Sequence, residues 1–323
     1  MSDTGPIYLD CYTRTITVAR KELLMTVGQS AYGIRSFSEF ANLKGYPTAP
    51  HMFMPHARIL ARAAQPTGFD YPTVPAGQTD NFAVYYDPSL GHDGQTLAEW
   101  VLGQCEDDYS QLQEIFNGVI PQDSLPFNII IAENIPGAYH HTCQDTDIYC
   151  DAVTDPNEIN MLDVAEEVEV FEAFSNGWDC GATNGEALSR ALAEELHPTS
   201  DPAFIIVSSW LNSKRADYIT SNLPTDRNVF SNACGLLFLN WLNSKEFTWS
   251  QIAQAGGSSL AETYSKVTRN PAKEAFKDFS DEIEALWPKG KVVHLDTNNP
   301  FKSSALNGKF MQRKPQLQKL RRS

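Results

Sequence analysis

Hydrophobic runs typical of β-strands lie in the first half of the chain. The segments FAVYYD at 82–87 and FNIIIA at 127–132 are predicted strands, and 138–150 predicts a second, more polar strand pair. Between the first two strands, apolar positions at helical spacing predict a helix that begins with a capping box at Thr96 and ends at Gly118. The predicted order is strand, helix, strand, strand.

Apolar residues with a period of 3.6 continue through the second half and predict a series of helices. The longest is expected over 157–175, and after a glycine-containing loop a second is expected over 183–196. Further helices are predicted at 202–213, 231–245, 249–255, 259–268 and 271–286. Thr248 and Ser259 each start one of these with capping-box spacing. The fold class is therefore predicted to be α+β, with a small mixed sheet and helix followed by a mainly helical half.

Two flanking segments differ from this pattern. Residues 1–78 hold a strand-like run from Ile7 to Val18 and then an arm with many prolines, which exclude long regular elements. Residues 289–323 are basic and lack apolar periodicity, so they are predicted to form a disordered tail. The domain proper is predicted to span 79–288.

Charge and hydropathy limit the class of partner. The 323 residues carry a formal net charge of −15, which argues against general nucleic-acid binding because that requires a positive surface. No apolar run of 18 residues occurs, so no membrane span is expected. The first residues lack a secretory signal, which favours a cytoplasmic protein; a secreted protein whose leader has been removed would look the same.

The six cysteines are spread along the chain without a C-x-x-C pair, so a zinc knuckle or a thioredoxin-like site is not expected. Cys143 and Cys150 flank a short polar stretch. They are predicted either to form a disulfide, if that stretch turns back, or to remain a reduced pair.

Candidate chemistry is concentrated in the stretch MLDVAEEVEVFEAF of the long predicted helix. At 100° per residue, Glu166, Glu169 and Glu172 form one ridge beside the apolar stripe, and Glu167 falls on the opposite flank. The ridge suggests carboxylates that approach the core. A solvated acidic face is the structural alternative.

Glu186, in the first turn of the next predicted helix, allows two interpretations. It could extend back toward the glutamate ridge as a metal ligand or a general acid. Alternatively, Thr183 and Glu186 have the spacing of a capping box, in which case Glu186 only satisfies free N–H groups of its own helix.

These motifs resemble the glutamate-type zincin metallopeptidases, in which HExxH on a first helix and a glutamate on the following helix bind zinc. The resemblance covers about 81–288. It places HExxH on residues 165–169, AEEVE, so the first histidine is replaced by Ala165 and the second by Glu169. It implies that Glu166 is the general base and Glu186 the downstream ligand. The stretches AEEVEVF, GWDCG, NGEALSR, LFLNWL and TWSQIAQAGGSSLAETY are also similar to a group of uncharacterised microbial proteins.

The expected cofactor is one divalent metal: zinc, manganese or calcium. A site made mainly of carboxylates suits the harder ions better than zinc. Without a metal, converging carboxylates would repel one another and one would keep its proton. His140 and His141, on a predicted edge strand, could supply a nitrogen ligand. Only one can face the cleft, since neighbouring strand residues point to opposite faces. A plain surface histidine is the alternative for each.

Three functions remain open from the sequence. The first is a metal-dependent, peptidase-like hydrolase with Glu166 as base and with Glu169, Glu186 and one of the two histidines as ligands; its substrate would be a peptide. The second is a zincin-shaped pseudoenzyme that serves as a binding module. The third is a metal-free enzyme with two catalytic carboxylates, as in glycosidases, with Trp178 stacking on a sugar.

Overall fold

A computed structural model describes residues 68–121, 125–153, 155–199, 204–224 and 228–302. The first part of the chain forms one mixed sheet in the order β1-β2-β3-β5-β4. The strands are β1 (Val74–Gln78), β2 (Phe82–Tyr86), β3 (Phe127–Ala132), β4 (Ala138–Tyr139) and β5 (Asp147–Asp151). The three central strands β2, β3 and β5 run parallel, and both edge strands are antiparallel to their neighbours.

Four of these strands lie where the hydrophobic pattern predicts them, and β1 does not. It lies in the segment that the prolines predicted to be irregular, so the sheet begins at Val74, before the domain start predicted at residue 79. An edge strand tolerates proline because only one side of its backbone needs hydrogen bonds. The pairing of β1 with β2 shifts register between Pro75 and Gly77. A Cβ at Gly77 would lie 2.6 Å from Cδ1 of Leu102, so glycine lets the bulged strand approach the first helix.

The helices are α1 (Gly91–Leu102), α2 (Cys105–Ile115), α3 (Pro156–Ala173), α4 (Thr183–Leu196), α5 (Val207–Leu211), α6 (Val229–Asn243), α7 (Trp249–Gln254), α8 (Leu260–Thr268) and α9 (Ala275–Leu286). The single helix predicted up to Gly118 is therefore two helices. Thr96 lies inside α1, where its hydroxyl donates to the carbonyl of His92, so the predicted cap at Thr96 is wrong. The break allows Glu106 at the start of α2 to accept two hydrogen bonds from Asn81, each 2.7 Å.

Helix α3 is the central element of the fold. Asp155 caps it by accepting from the N–H groups of Asn157 and Glu158, and Pro156 occupies its first turn. The helix contacts α1, α2, α4, β4 and β5. Every residue from Glu158 to Glu172 is consequently buried, and the alternative of a solvated acidic face is wrong.

The later helices follow the predicted caps with one difference. Thr248 and Gln251 form the complete capping box of α7. Ser259 accepts from the N–H of Glu262 at the start of α8, but the Glu262 carboxylate accepts from the N–H of Ser258 instead of completing the box.

The first part of the predicted tail is ordered. Val293 and Phe301 are buried, and the Asn298 amide oxygen accepts from the N–H groups of Ile206 and Val207 at the start of α5. The prediction of disorder from residue 289 is therefore wrong for 289–302. Residues 303–323, like the predicted strand from Ile7 to Val18, lie outside the described residues.

Within the described ranges, none of the helices combines the length and the apolar character needed to cross a bilayer.

Candidate functional site

The two predicted histidines lie on opposite sides of the sheet edge. His140, directly after β4, points toward α3, and its Nε2 lies 3.3 Å from Oε2 of Glu169. His141 points away from the cleft, where its Nε2 lies 3.1 Å from Oδ2 of Asp70 and its ring packs on that of Tyr139. The structure therefore brings His140 to the glutamate ridge and leaves His141 outside.

Glu186 of α4 is held by an arginine that the sequence analysis did not single out. The Arg190 guanidinium donates to the Glu186 carboxylate and, at 2.8 Å, to the Glu186 carbonyl. Both side chains are buried. The i, i+4 spacing of glutamate and arginine was the signal for this pair. The capping-box alternative is wrong, because α4 has no side-chain cap and the Thr183 hydroxyl lies 2.9 Å from that of Ser231.

The interface between α3 and α4 also holds Glu169 and Glu172. The Ser189 hydroxyl donates to Oε1 of Glu169 at 3.3 Å. Glu172 is fully buried, and its two oxygens have no hydrogen-bond partner in the described part of the chain. It fits because Gly185 lies opposite: a Cβ there would be 2.5 Å from Oε2 of Glu172.

Burial controls the protonation of this cluster. Desolvation, together with the charges of Glu169 and Glu186, raises the pKa of Glu166 to about 8. Desolvation and the same two charges raise the pKa of Glu172 well above its usual range. Burial opposes protonation of His140, but its hydrogen bond to Glu169 and the nearby carboxylates outweigh that effect and raise its pKa.

Two carboxyls of this cluster therefore hold protons near neutral pH, namely those of Glu166 and Glu172. Glu169 faces the imidazole of His140, and Glu186 faces the guanidinium of Arg190.

A disulfide borders the cluster formed by His140 and the glutamates of α3 and α4, and it is not the predicted one. Cys143, in the segment after β4, is bonded to Cys180 in the loop between α3 and α4, with a Cα–Cα distance of 6.0 Å. The predicted partner Cys150 is a free, buried thiol on β5. It belongs to the main hydrophobic core.

Three side chains around this disulfide have ligand atoms within 4.8 Å of one another: His140, Glu169 and Cys180. Such a triad has the composition of a metal site, but the Cys180 sulfur is bonded to Cys143. Ala165 offers no donor, and Glu186 is bound by Arg190. The residues present therefore do not fit the zinc set of a glutamate-type zincin.

Trp178, in the loop between α3 and α4, has a structural role. Trp178 is buried and donates from Nε1 to the carbonyl of Ala253 at 2.7 Å, so it cannot stack on a sugar as the glycosidase hypothesis expected. A separate pocket of about 330 Å³, including its open mouth, is lined by Ala165, Arg190, Glu194, Ile206 and Asn298 and is not bordered by His140 or Glu169.

A second acidic cluster lies on the other flank of α3. His197 at the end of α4 bonds from Nε2 to Oδ2 of Asp108 at 2.7 Å. Asp163 and Glu167 lie beside this pair, and burial raises the pKa of both well above the usual range, with Asp108 contributing. Neither oxygen of Glu167 has a hydrogen-bond partner among the described residues. The sequence analysis missed this cluster because it is formed by residues that are far apart in the chain.

Comparison with models of known families, with curated proteins and with solved structures finds no match.

Proposed function

We propose that this chain is a zincin-shaped binding module in which internal cations and protons take the place of a catalytic metal. The observation that carries the proposal is the Arg190–Glu186 pair. The resemblance puts the downstream metal ligand at Glu186, and a buried guanidinium already satisfies this carboxylate. Ala165 contributes no ligand either, so two of the metal ligands that the resemblance implies are not available.

The arrangement of the sheet and helices supports the zincin-like shape. A small mixed sheet with an antiparallel edge strand precedes α3, which carries Glu166 and Glu169, and α4 with Glu186 packs directly on α3. This is the layout that the resemblance implies.

The proposed ligand is an extended peptide. Strand β4 is the last strand of the sheet, and its outer edge pairs with no strand among the described residues. Unpaired N–H and C=O groups at such an edge can add another strand, with affinity from main-chain hydrogen bonds. His140 follows β4 directly, so a peptide on this edge would pass the glutamate cluster.

The metal-dependent hydrolase remains the second candidate, favoured by the 3.3 Å approach of His140 to Glu169. In that case Glu166 would be the base and the substrate a peptide. A ligand role for Glu186 would require Arg190 to leave it.

Peptide binding is tested with a library of extended synthetic peptides and the full chain under non-reducing conditions. Binding without cleavage is expected, and N-methylation of alternate peptide nitrogens should abolish it because main-chain donors are removed. Binding that is insensitive to N-methylation would exclude the edge-strand mode. Cleavage that is lost in Glu166→Gln would favour the hydrolase.

Introducing the two histidines of the HExxH motif tests the zincin-like placement of these residues. The variant with Ala165→His, Glu169→His and Arg190→Ala should bind about one zinc per chain, while the wild type with its disulfide intact binds none. The control is Arg190→Ala alone, which provides no imidazole at positions 165 and 169. A folded triple variant without zinc would contradict the zincin-like placement of these residues.

A further inference from the structure

The disulfide lies directly against the contact between His140 and Glu169. A ring nitrogen of His140, a carboxylate oxygen of Glu169 and Sγ of Cys180 all lie within 4.8 Å of one another. The His140 side chain is 6% exposed and Glu169 is buried, so both are held by packing. His140, Glu169 and Cys180 lie in three different parts of the fold, namely the sheet edge, α3 and the α3–α4 loop.

We infer that reduction of the Cys143–Cys180 disulfide creates a zinc site formed by Cys180, His140 and Glu169. This site differs from the HExxH set that the resemblance implies, because its soft ligand comes from a loop and Ala165 and Glu186 have no part in it. The inference goes beyond the proposed binding module and does not depend on it.

The donor types and the spacing suit zinc. Zinc binds thiolate at about 2.3 Å, imidazole at about 2.0–2.1 Å and carboxylate at about 2.0–2.2 Å, and tetrahedral ligands at these lengths lie roughly 3.3–3.7 Å apart. The 3.3 Å between His140 and Glu169 is in this range. A thiolate, an imidazole and a carboxylate leave the fourth position to water.

The redox state of the Cys143–Cys180 pair determines whether a Cys180 thiolate is available as the third ligand. A disulfide sulfur carries no charge, whereas the thiolate is the form that binds metal. A dithiol reductant supplies two electrons and two protons: the S–S bond breaks, both cysteines become thiols, and the reductant forms its own disulfide. Zinc then displaces the proton of Cys180 and any proton on Nε2 of His140 to solvent.

The remaining free cysteines do not compete for the metal. Cys105, Cys150 and Cys234 are buried, whereas Cys143 and Cys180 are both partly exposed and within reach of a reductant. The variant Cys143→Ser cannot form the disulfide and therefore leaves Cys180 as a permanent thiol.

The test is zinc competition with a chromogenic chelator on the full chain, oxidised or reduced by a dithiol that is then removed without air. Reduced wild type and Cys143→Ser should each bind about one zinc, and the oxidised wild type none. The matched control is reduced Cys180→Ser, which keeps the three buried thiols and Cys143 but should bind none. Cobalt in place of zinc should give a thiolate-to-metal charge-transfer band that His140→Ala and Glu169→Gln weaken.

Circular dichroism before and after reduction separates loss of binding from loss of fold, and reduced wild type carries the test if Cys143→Ser does not fold. A folded reduced protein that takes up no zinc, or equal uptake by Cys180→Ser, would overturn the inference. Zinc bound by the oxidised wild type would instead contradict the proposed metal-free module, so the two failures are distinguishable.

Discussion

At the scale of single residues, the interface of α3 and α4 depends on a glycine and an arginine. Gly185 leaves the space that Glu172 fills, and a Cβ there would also lie 2.3 Å from the carbonyl oxygen of Asp179. Arg190 neutralises Glu186 inside the same interface. Each residue allows a buried carboxyl to remain between two helices.

Gly185→Ala tests the close approach of α3 and α4 through the sign of its effect on the free energy of unfolding. In an open helix this change stabilises by up to about 1 kcal/mol, because alanine has the higher helix propensity. Here the Cβ would press on Glu172 and on a backbone carbonyl, so we expect destabilisation of about 1–3 kcal/mol. Chemical denaturation measures it, and a stabilised variant would show that the two helices are further apart.

Arg190→Met tests the buried ion pair. Removal of one partner leaves a buried charge uncompensated and should lower the free energy of unfolding by about 3–5 kcal/mol. The double variant Glu186→Gln with Arg190→Met should recover most of that loss, because no charge is left unpaired. If the two substitutions proved additive in denaturant melts, Glu186 and Arg190 would not form the pair described.

At the scale of elements, α3 is a helix buried on all sides that carries ionisable groups on both flanks. The carboxyl of Asp163 is fully buried, and desolvation together with the charge of Asp108 raises its pKa well above the usual range. It faces Asp108, which pairs with His197, and Glu167 on its own helix. In the folded chain Asp163 therefore keeps its proton at pH values where the unfolded chain loses it.

Stability should consequently fall as the pH rises. Above about pH 4 the unfolded state releases the Asp163 proton and the folded state does not. The free energy of unfolding therefore falls by about 1.4 kcal/mol per pH unit for each such group until the folded pKa is reached. We expect a higher melting temperature at pH 5 than at pH 8 by calorimetry of the oxidised, zinc-free protein. Asp163→Asn should reduce that difference, and an equal pH dependence in both proteins would argue against a protonated Asp163.

Local pattern was sufficient for most elements and not for their ends. Strand β3 and helix α4 were predicted at their observed bounds, since apolar periodicity marks both. The cap expected at Thr183 failed because its hydroxyl contacts Ser231, 48 residues away in sequence. The break between α1 and α2 accompanies the contact of Glu106 with Asn81, 25 residues away in sequence, which no local pattern reveals.

At the scale of the whole molecule, the candidate site was predicted in part. The sequence placed Glu166, Glu169 and Glu186 on two neighbouring helices, and the structure packs these helices together. The sequence did not separate His140 from His141, because that depends on the orientation of a two-residue strand. The Cys143–Cys180 pairing depends on tertiary structure and could not be derived from spacing.

The segment after α9 binds the start of α5 and contributes to the stability of the helical half. Asn298→Ala would leave the buried N–H groups of Ile206 and Val207 without their acceptor, at a cost of about 1–3 kcal/mol each. The neighbouring Asn299→Ala is the control, since its amide oxygen has no partner among the described residues. Equal thermal stability of the two variants would show that this segment is not held by Asn298.

The most direct test of the proposed metal-free cleft is the metal content of the purified, disulfide-intact protein after exposure to zinc, manganese and calcium, measured by mass spectrometry. Because Arg190 pairs with Glu186, Ala165 offers no ligand, and Glu166 and Glu172 retain protons, we expect no stoichiometric metal, and no difference in Glu169→Ala or Glu186→Ala. About one bound divalent ion per chain, lost in both variants, would contradict this proposal and establish a carboxylate-rich metal centre.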